Sequence, residues 1–260
     1  MNILRAFCEI TFDAPAPVPV VLMLRPHSGW GQWIAEERYD FNPRTQVVEY
    51  TDIYGNVCQR VMIPAGTTTI QASCVAEVPE EVDKEFSAVF VEPQHLPDHV
   101  LRFLLPSRYC PSDQLGELAG QIVAGMTPGY QQVEAIRRWL HTSIRYEYGT
   151  SNTATTASDT ASCRAGVCRD FAHLGIALCR ALNIPARMVV GYTEKLAIPD
   201  IHAWFEAYVG WRWYMFDGTH EETAGNRIAI AYGCDATDVA FVTQFGQLDL
   251  RSLVVRVEKG

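Results

Sequence analysis

The sequence predicts an α+β protein: an all-β front, followed by a unit in which helices pack on an antiparallel sheet. Three observations predict it. Residues 1–82 are rich in Val, Ile, Thr and Tyr and are broken by Pro, Gly and Asn, the composition of short strands and turns. The middle of the chain carries apolar residues at helical spacing, and the part after residue 185 returns to strand-like runs. A strand-rich front, a helical middle and a strand-rich back argue for segregated layers rather than alternating βα units.

The front strands are read from CEITFD, VPVVLMLRP, TQVVEYTDIYGNVCQRVMIPAG and TTTIQASCVAEV, with Tyr54-Gly55-Asn56 as a hairpin turn because Gly and Asn tolerate positive φ. A connector over 83–112 is punctuated by Pro93, Pro97, Pro106 and Pro111. Leu115, Leu118, Ala119 and Ile122 then mark a helix over 113–125, and Val133, Ile136, Trp139 and Leu140 mark another over 129–143. The polar, small-residue stretch 150–166 reads as a long loop, of the kind that often forms sites. From Cys168 to about Leu182 an apolar face of Phe171, Leu174, Leu178 and Leu182 predicts a helix, which Asn183 and Pro185 end. RMVVGYTE, IHAWFEAYV, RWYMFDGT, RIAIAY and SLVVRVEK are the closing strands. The expected units are 1–82, a connector at 83–112, and a catalytic unit at 113–260 that includes the C-terminal strands.

The chain has 260 residues, 48% of them hydrophobic, and a formal net charge of −9 without any basic run. That balance offers nothing to neutralise phosphates, so no nucleic acid is expected as a partner. No stretch approaches the roughly 18 apolar residues of a membrane span, and the opening residues do not form a signal peptide, so no membrane partner is expected and the cytoplasm is the expected compartment. The eight cysteines contain no CxxC pair, which argues against a zinc ribbon or a disulfide framework. His95 and His99 are four apart, but Pro97 between them spoils a helical ligand pair. No metal and no cofactor are expected, and no DxDxDG-like calcium loop is present.

Cys168 differs from the other cysteines in standing at a helix start. Helix N-termini favour a thiolate, Gly166 lets the preceding loop approach closely, and the Cys168 N–H can face a developing oxyanion. His202 opens one strand-like run and Asp217 closes the next, so a hairpin turning near Gly210 brings the two approximately opposite each other. The carboxylate would then fix the imidazole tautomer and leave its other nitrogen for the thiol. Each residue alone has an ordinary structural reading; the combination points to a Cys-His-Asp nucleophilic site. Cys179, eleven residues on, lies roughly 16 Å along the same helix and cannot pair with Cys168, whereas Cys163 in the loop could reach it under oxidation.

The text GVCRDFAHLGIALCRALNIPAR, then VVGY, then HAWFEAYVGWRWYMFDGT resembles the core of the transglutaminase-like superfamily, whose fold is papain-like. Cys168, His202 and Asp217 fall on that family's catalytic positions. The resemblance runs closely over 140–220, and the front, with LRP at 24–26 and DIYGN at 52–56, resembles the β-rich domain that precedes this core in bacterial members. The tail RIAIAYGCDATDV resembles the segment that follows the core. Gly218 replaces the proline of D-P-T, Asn183 a glycine, and Cys234 an arginine of the family pattern. Asp170 and Trp204 match it; Asp170 is read as a helix-dipole or loop anchor, and Trp204 as a wall beside the imidazole.

The implied function is thiol-dependent acyl transfer on a peptide or protein substrate, with hydrolysis slightly favoured over transamidation. The alternatives are arylamine N-acetyltransferase-like chemistry, disfavoured by the missing R-G-G-x-C and the β-rich front, or a binding scaffold without catalysis. The second oxyanion donor is expected in the 150–166 loop. Exposed strand edges in the front offer a route to a homo-oligomer.

Overall fold

Alternation along the front strands decides which way they face. In β1 (Asn2–Ala14), Leu4, Ala6, Cys8, Ile10, Phe12 and Ala14 are buried while the residues between them are more open, as a strand with one face on a core requires. β2 (Val18–Leu22) repeats the pattern, β3 (Trp33–Asn42) and β4 (Val47–Thr51) are largely exposed, and β5 (Val57–Ile63) and β6 (Gly66–Val78) are again buried on one side. The turn between β4 and β5 is the predicted one: Gly55 has φ 86°, and the Asp52 carboxylate accepts from the N–H groups of Tyr54 and Asn56. The computed structural model describes residues 1–29, 31–194 and 200–260.

The connector contains the single turn α1 (Asp98–Leu101), and the two predicted helices are α2 (Gly116–Ile122) and α3 (Tyr130–Ser143). Past β7 (Arg145–Tyr146), the stretch expected to be a loop holds α4 (Ala157–Cys163) and β8 (Ala165–Gly166). The helix has a capping box: Thr156 Oγ1 accepts from the Asp159 N–H, and the Asp159 carboxylate accepts from the Thr156 N–H. Its buried side chains are only Ala157 and Thr160, too small to leave an apolar periodicity in the sequence.

α5 (Cys168–Ala181) lies on a sheet of β9 (Ala186–Thr193), β10 (His202–Val209), β11 (Arg212–Phe216) and β12 (Arg227–Gly233), ordered β11-β10-β9-β12 and antiparallel throughout. A Cβ on Gly175 would stand 2.5 Å from the Phe205 ring, so glycine is what lets α5 approach β10. The α+β class holds. The C-terminal strands require a correction, because β13 (Val242–Gln244) and β14 (Asp249–Lys259) do not join this sheet. β14 pairs with β1 and β13 with β2, giving front sheets ordered β14-β1-β6-β3 and β13-β2-β5-β4. The expected unit 113–260 therefore ends in strands that complete the front, since a strand's alternation marks a buried face and not the edge it will join.

Front and back share one apolar cluster, which includes Leu4 and Ile10 of the front and Leu174, Tyr192 and Phe205 of the back. Polar contacts add to it at the free edge of β12. The Gln32 side chain donates to the Ala229 carbonyl and accepts from the Ala229 N–H, and Asn56 does the same for Tyr232, all at 2.8 Å. Two amide side chains of the front thus pair edge groups that would otherwise be open. Among the described residues, no helix is long and apolar enough to cross a membrane.

Candidate active site

The start of α5 is set by three residues. Val167 is extended, and its N–H donates to the Asp170 carboxylate at 2.9 Å, so the first turn is capped from within. A Cβ on Gly166 would meet the Asp170 Cβ at 2.7 Å, which explains the glycine. Asp170 is fully buried, and its other oxygen accepts from Arg169; it anchors the turn, as its place in the sequence suggests. Cys168 sits half-buried on this turn, while Cys8, Cys58, Cys74, Cys110 and Cys179 are buried. Burial pushes the thiols of Cys8, Cys74 and Cys110 up to about 12, which makes them inert near neutrality.

His202 and Asp217 come from neighbouring strands. The β10–β11 register pairs Phe205 with Phe216, which sets Asp217 level with Trp204 rather than with His202. The expected opposite pairing is therefore diagonal, and the imidazole reaches along the strand to place Nε2 2.8 Å from Asp217 Oδ2. Both side chains are almost wholly buried, at 2% and 1% exposure, so water cannot substitute for either partner. The thiol of Cys168 lies near the same imidazole, whose nitrogen not held by Asp217 is Nδ1. Trp204 stacks on His202 at 6.2 Å between ring centroids. Gly191, paired with His202 across β9 and β10, makes room for it: a Cβ there would stand 2.8 Å from the indole and 2.2 Å from the Ile228 carbonyl oxygen.

Arg227, at the start of β12, completes the cluster. Its Nη2 donates to Asp217 Oδ2 at 2.7 Å, and its guanidinium carbon lies 5.1 Å from the Trp204 ring centroid. Asp217 Oδ1 accepts from the Thr219 N–H and hydroxyl, while its own N–H donates to Thr223. Burial opposes a charge on Asp217, but Arg227, His202 and Thr219 outweigh it and hold the carboxyl well below its ordinary range. Burial likewise opposes a charge on His202, yet the bonds to Asp217 and Cys168 prevail and its pKa is pushed up to about 9. At neutral pH the imidazole is a cation whose proton can be given away, held by a carboxylate with no free lone-pair direction.

Ligand atoms of His202, Asp217 and His220 all lie within 4.8 Å of one another, a spacing that could hold a metal ion. The donors already present fit a hydrogen-bonded cluster better. An ion would have to displace the His202–Asp217 bond and bind beside the Arg227 cation, against its repulsion.

The residues named from the sequence thus meet: Cys168, His202 and Asp217 in contact, Trp204 on the imidazole, Gly166 and Asp170 beneath the thiol. Arg227 and Gly191 went unnamed. The signals were present, a lone charge opening the apolar run IAIAY and the glycine in VVGY. Two departures from the family pattern are explained locally. Asn183 has φ 59°, the conformation that favours glycine and that Asn tolerates, and a Cβ on Gly218 would crowd the Leu140 Cβ at 2.6 Å. Cys234 lies off the site, its sulfur 3.4 Å from the Tyr54 hydroxyl.

Comparison with known proteins agrees with this architecture. The transglutaminase-like superfamily model matches residues 116–218, and that of the bacterial transglutaminase-like N-terminal region matches residues 9–79. The crystal structure of a candidate cysteine protease from Cytophaga hutchinsonii superposes with a TM-score of 0.93 at 34% identity, covering 99% of this chain and 90% of that one. An uncharacterised protein of Mycobacterium leprae is 29% identical over 231 residues, 84% of this chain and 82% of that one. One of Mycobacterium tuberculosis is 25% identical over 184 residues, 65% of this chain and 54% of that one.

Proposed function

Because the chain belongs to the transglutaminase-like superfamily, we propose that Cys168, His202 and Asp217 are the catalytic triad of a thiol enzyme that cleaves peptide or carboxamide bonds. The observation that carries this reading is a buried, carboxylate-held imidazole beside a helix-start thiol. Acyl transfer needs the sulfur as thiolate and the imidazole as imidazolium, so that the thiol proton stands on the ring that will deliver it.

In the proposed reaction the Cys168 sulfur bonds to the carbonyl carbon, and the π pair moves onto oxygen. Collapse breaks the carbon–nitrogen bond, and His202 delivers its proton to the leaving amine. The thioester is then attacked by water, whose proton His202 accepts, and the thiolate is released with the acid product. An incoming amine in place of water would give transamidation. We favour hydrolysis, in keeping with the protease assignment of the Cytophaga relative. Asp217 with its four hydrogen bonds orients His202 and does not take its proton.

The test is a peptide library treated with wild type and with Cys168→Ala and read by mass spectrometry. Cleaved or deamidated peptides are expected from wild type and none from the variant, with a rate loss of at least about 10³-fold. Equal product from the variant would end the reading. Iodoacetamide labelling of Cys168 well below the unperturbed thiol pKa of about 8.5 separates an enzyme from an inert scaffold, which would react slowly.

A further inference from the structure

β7 and β8 are two residues each, and their parallel pairing sets Tyr146 beside Gly166, two residues before Cys168. The Arg145 N–H donates to the Arg164 carbonyl at 2.9 Å and the Glu147 N–H to the Gly166 carbonyl at 3.0 Å, so Tyr146 is fastened from both sides to the segment that leads into α5. Its ring is held between Phe171, one turn below Cys168 on α5, at 5.9 Å, and Tyr148 at 5.6 Å. The hydroxyl lies near the Cys168 backbone N–H and the thiol, and near Tyr148, all of which act on its proton. Burial and the neighbouring sulfur push this phenol well above its ordinary value, so it keeps its proton wherever the enzyme works.

We propose that the Tyr146 hydroxyl is the second donor of the oxyanion site, acting with the backbone N–H of Cys168. The inference rests on the thiol acyl-transfer reading. It moves the second donor from the 150–166 loop, where the sequence suggested a search, to the strand before it. Two donors side by side can converge on one oxygen. In the free protein the Cys168 N–H and the Tyr146 hydroxyl lie near one another. When the sulfur bonds to the carbonyl carbon and negative charge collects on oxygen, that oxygen takes both the N–H and the phenolic O–H. Tyr146 donates without being deprotonated. On collapse the electron pair returns to carbon as the leaving group departs, and both donors are released. The aromatic clamp of Phe171 and Tyr148 holds the hydroxyl in place, the preorganisation that gives such donors their effect.

The test compares two reactions of Cys168 in the full chain. Acylation by p-nitrophenyl acetate passes through a tetrahedral oxyanion, whereas alkylation by iodoacetamide is displacement at a saturated carbon and builds none. Tyr146→Phe is expected to slow acylation by about 10²-fold, the low end for loss of one oxyanion donor, and to leave the alkylation rate within about twofold. Tyr148→Phe, which keeps the Tyr146 hydroxyl, is expected to change acylation by less than about fivefold, well short of a lost donor. Equal slowing of both reactions by Tyr146→Phe would make Tyr146 a positioning residue for the thiol and overturn the proposal. Unchanged or faster acylation would also overturn it, in the second case marking the hydroxyl as a plug. Wild-type Cys168 inert to both reagents would instead overturn the thiol-enzyme reading on which the inference stands.

Discussion

The front sheets and the β9–β12 sheet bury their residues in different ways. In β1 and β6 burial alternates, so one face is dry and its charges, such as Glu9, sit on the open side. In β9, β10 and β12 every residue is buried, because α5 covers one face and other parts of the chain cover the second and the β12 edge. Buried charges at that second sheet are paired: Arg187 with Glu206 at 2.6 Å, and Asp217 with both Arg227 and His202. The difference teaches where chemistry can sit. Water-free pairing gives His202 its raised pKa and Asp217 its lowered one, while an open ion pair such as Arg38 with Asp40, 80% and 50% exposed, is screened and shapes no reactivity.

The comparison breaks most readily at Arg227. Arg227→Met removes one of the two cations that hold the buried Asp217 carboxylate, and we expect a loss of about 3–5 kcal/mol by urea titration with a large loss of activity. A variant as stable as wild type would show that Asp217 does not depend on that pair. pH sharpens the same contrast. His202 must be protonated to supply the leaving amine, so turnover is expected to fall about tenfold per unit above pH 9. The stability sign agrees: the folded pKa lies above the ordinary 6.5, so the His202 contribution is fully present below about 6.5 and is lost as pH rises through about 9. A profile flat to pH 10 would contradict this.

The edge cover is the next test. Asn56→Ala strips both amide contacts from Tyr232 and is expected to cost about 2 kcal/mol in thermal or chemical unfolding. No change would mean that water serves the β12 edge as well as the front does. Arg38→Ala, on the open sheet, is expected to change stability by about 0–1 kcal/mol. A larger loss would place buried-type energetics on the exposed side and blur the contrast.

Much of the fold was legible because periodicity reports burial directly. The front alternation, the helical faces around Val133 and Leu174, and the turn at Gly55 all follow from residue spacing. α4 was not legible, since a helix resting on Ala157 and Thr160 has almost no hydrophobic stripe. The candidate site shows the same division. Cys168 declared itself by a helix start after Gly166, and His202 with Asp217 by a strand–turn–strand pattern. The four-residue reach of a local pattern could not disclose Arg227 on Asp217 or Tyr146 at Cys168, ten and twenty-two positions away.

By itself the sequence determined the element types, the order of nucleophile, base and carboxylate, and the excess of acidic over basic residues, because each follows from local spacing or composition. Only the tertiary structure decided that β14 closes the front beside β1, that Asp217 meets His202 diagonally, and that Gln32 and Asn56 seal β12. The physical reason is common to all three. A strand's own residues state which face is to be dry, but its neighbour is chosen by the summed fit of the whole chain, including the partners that buried charges and open edges must find.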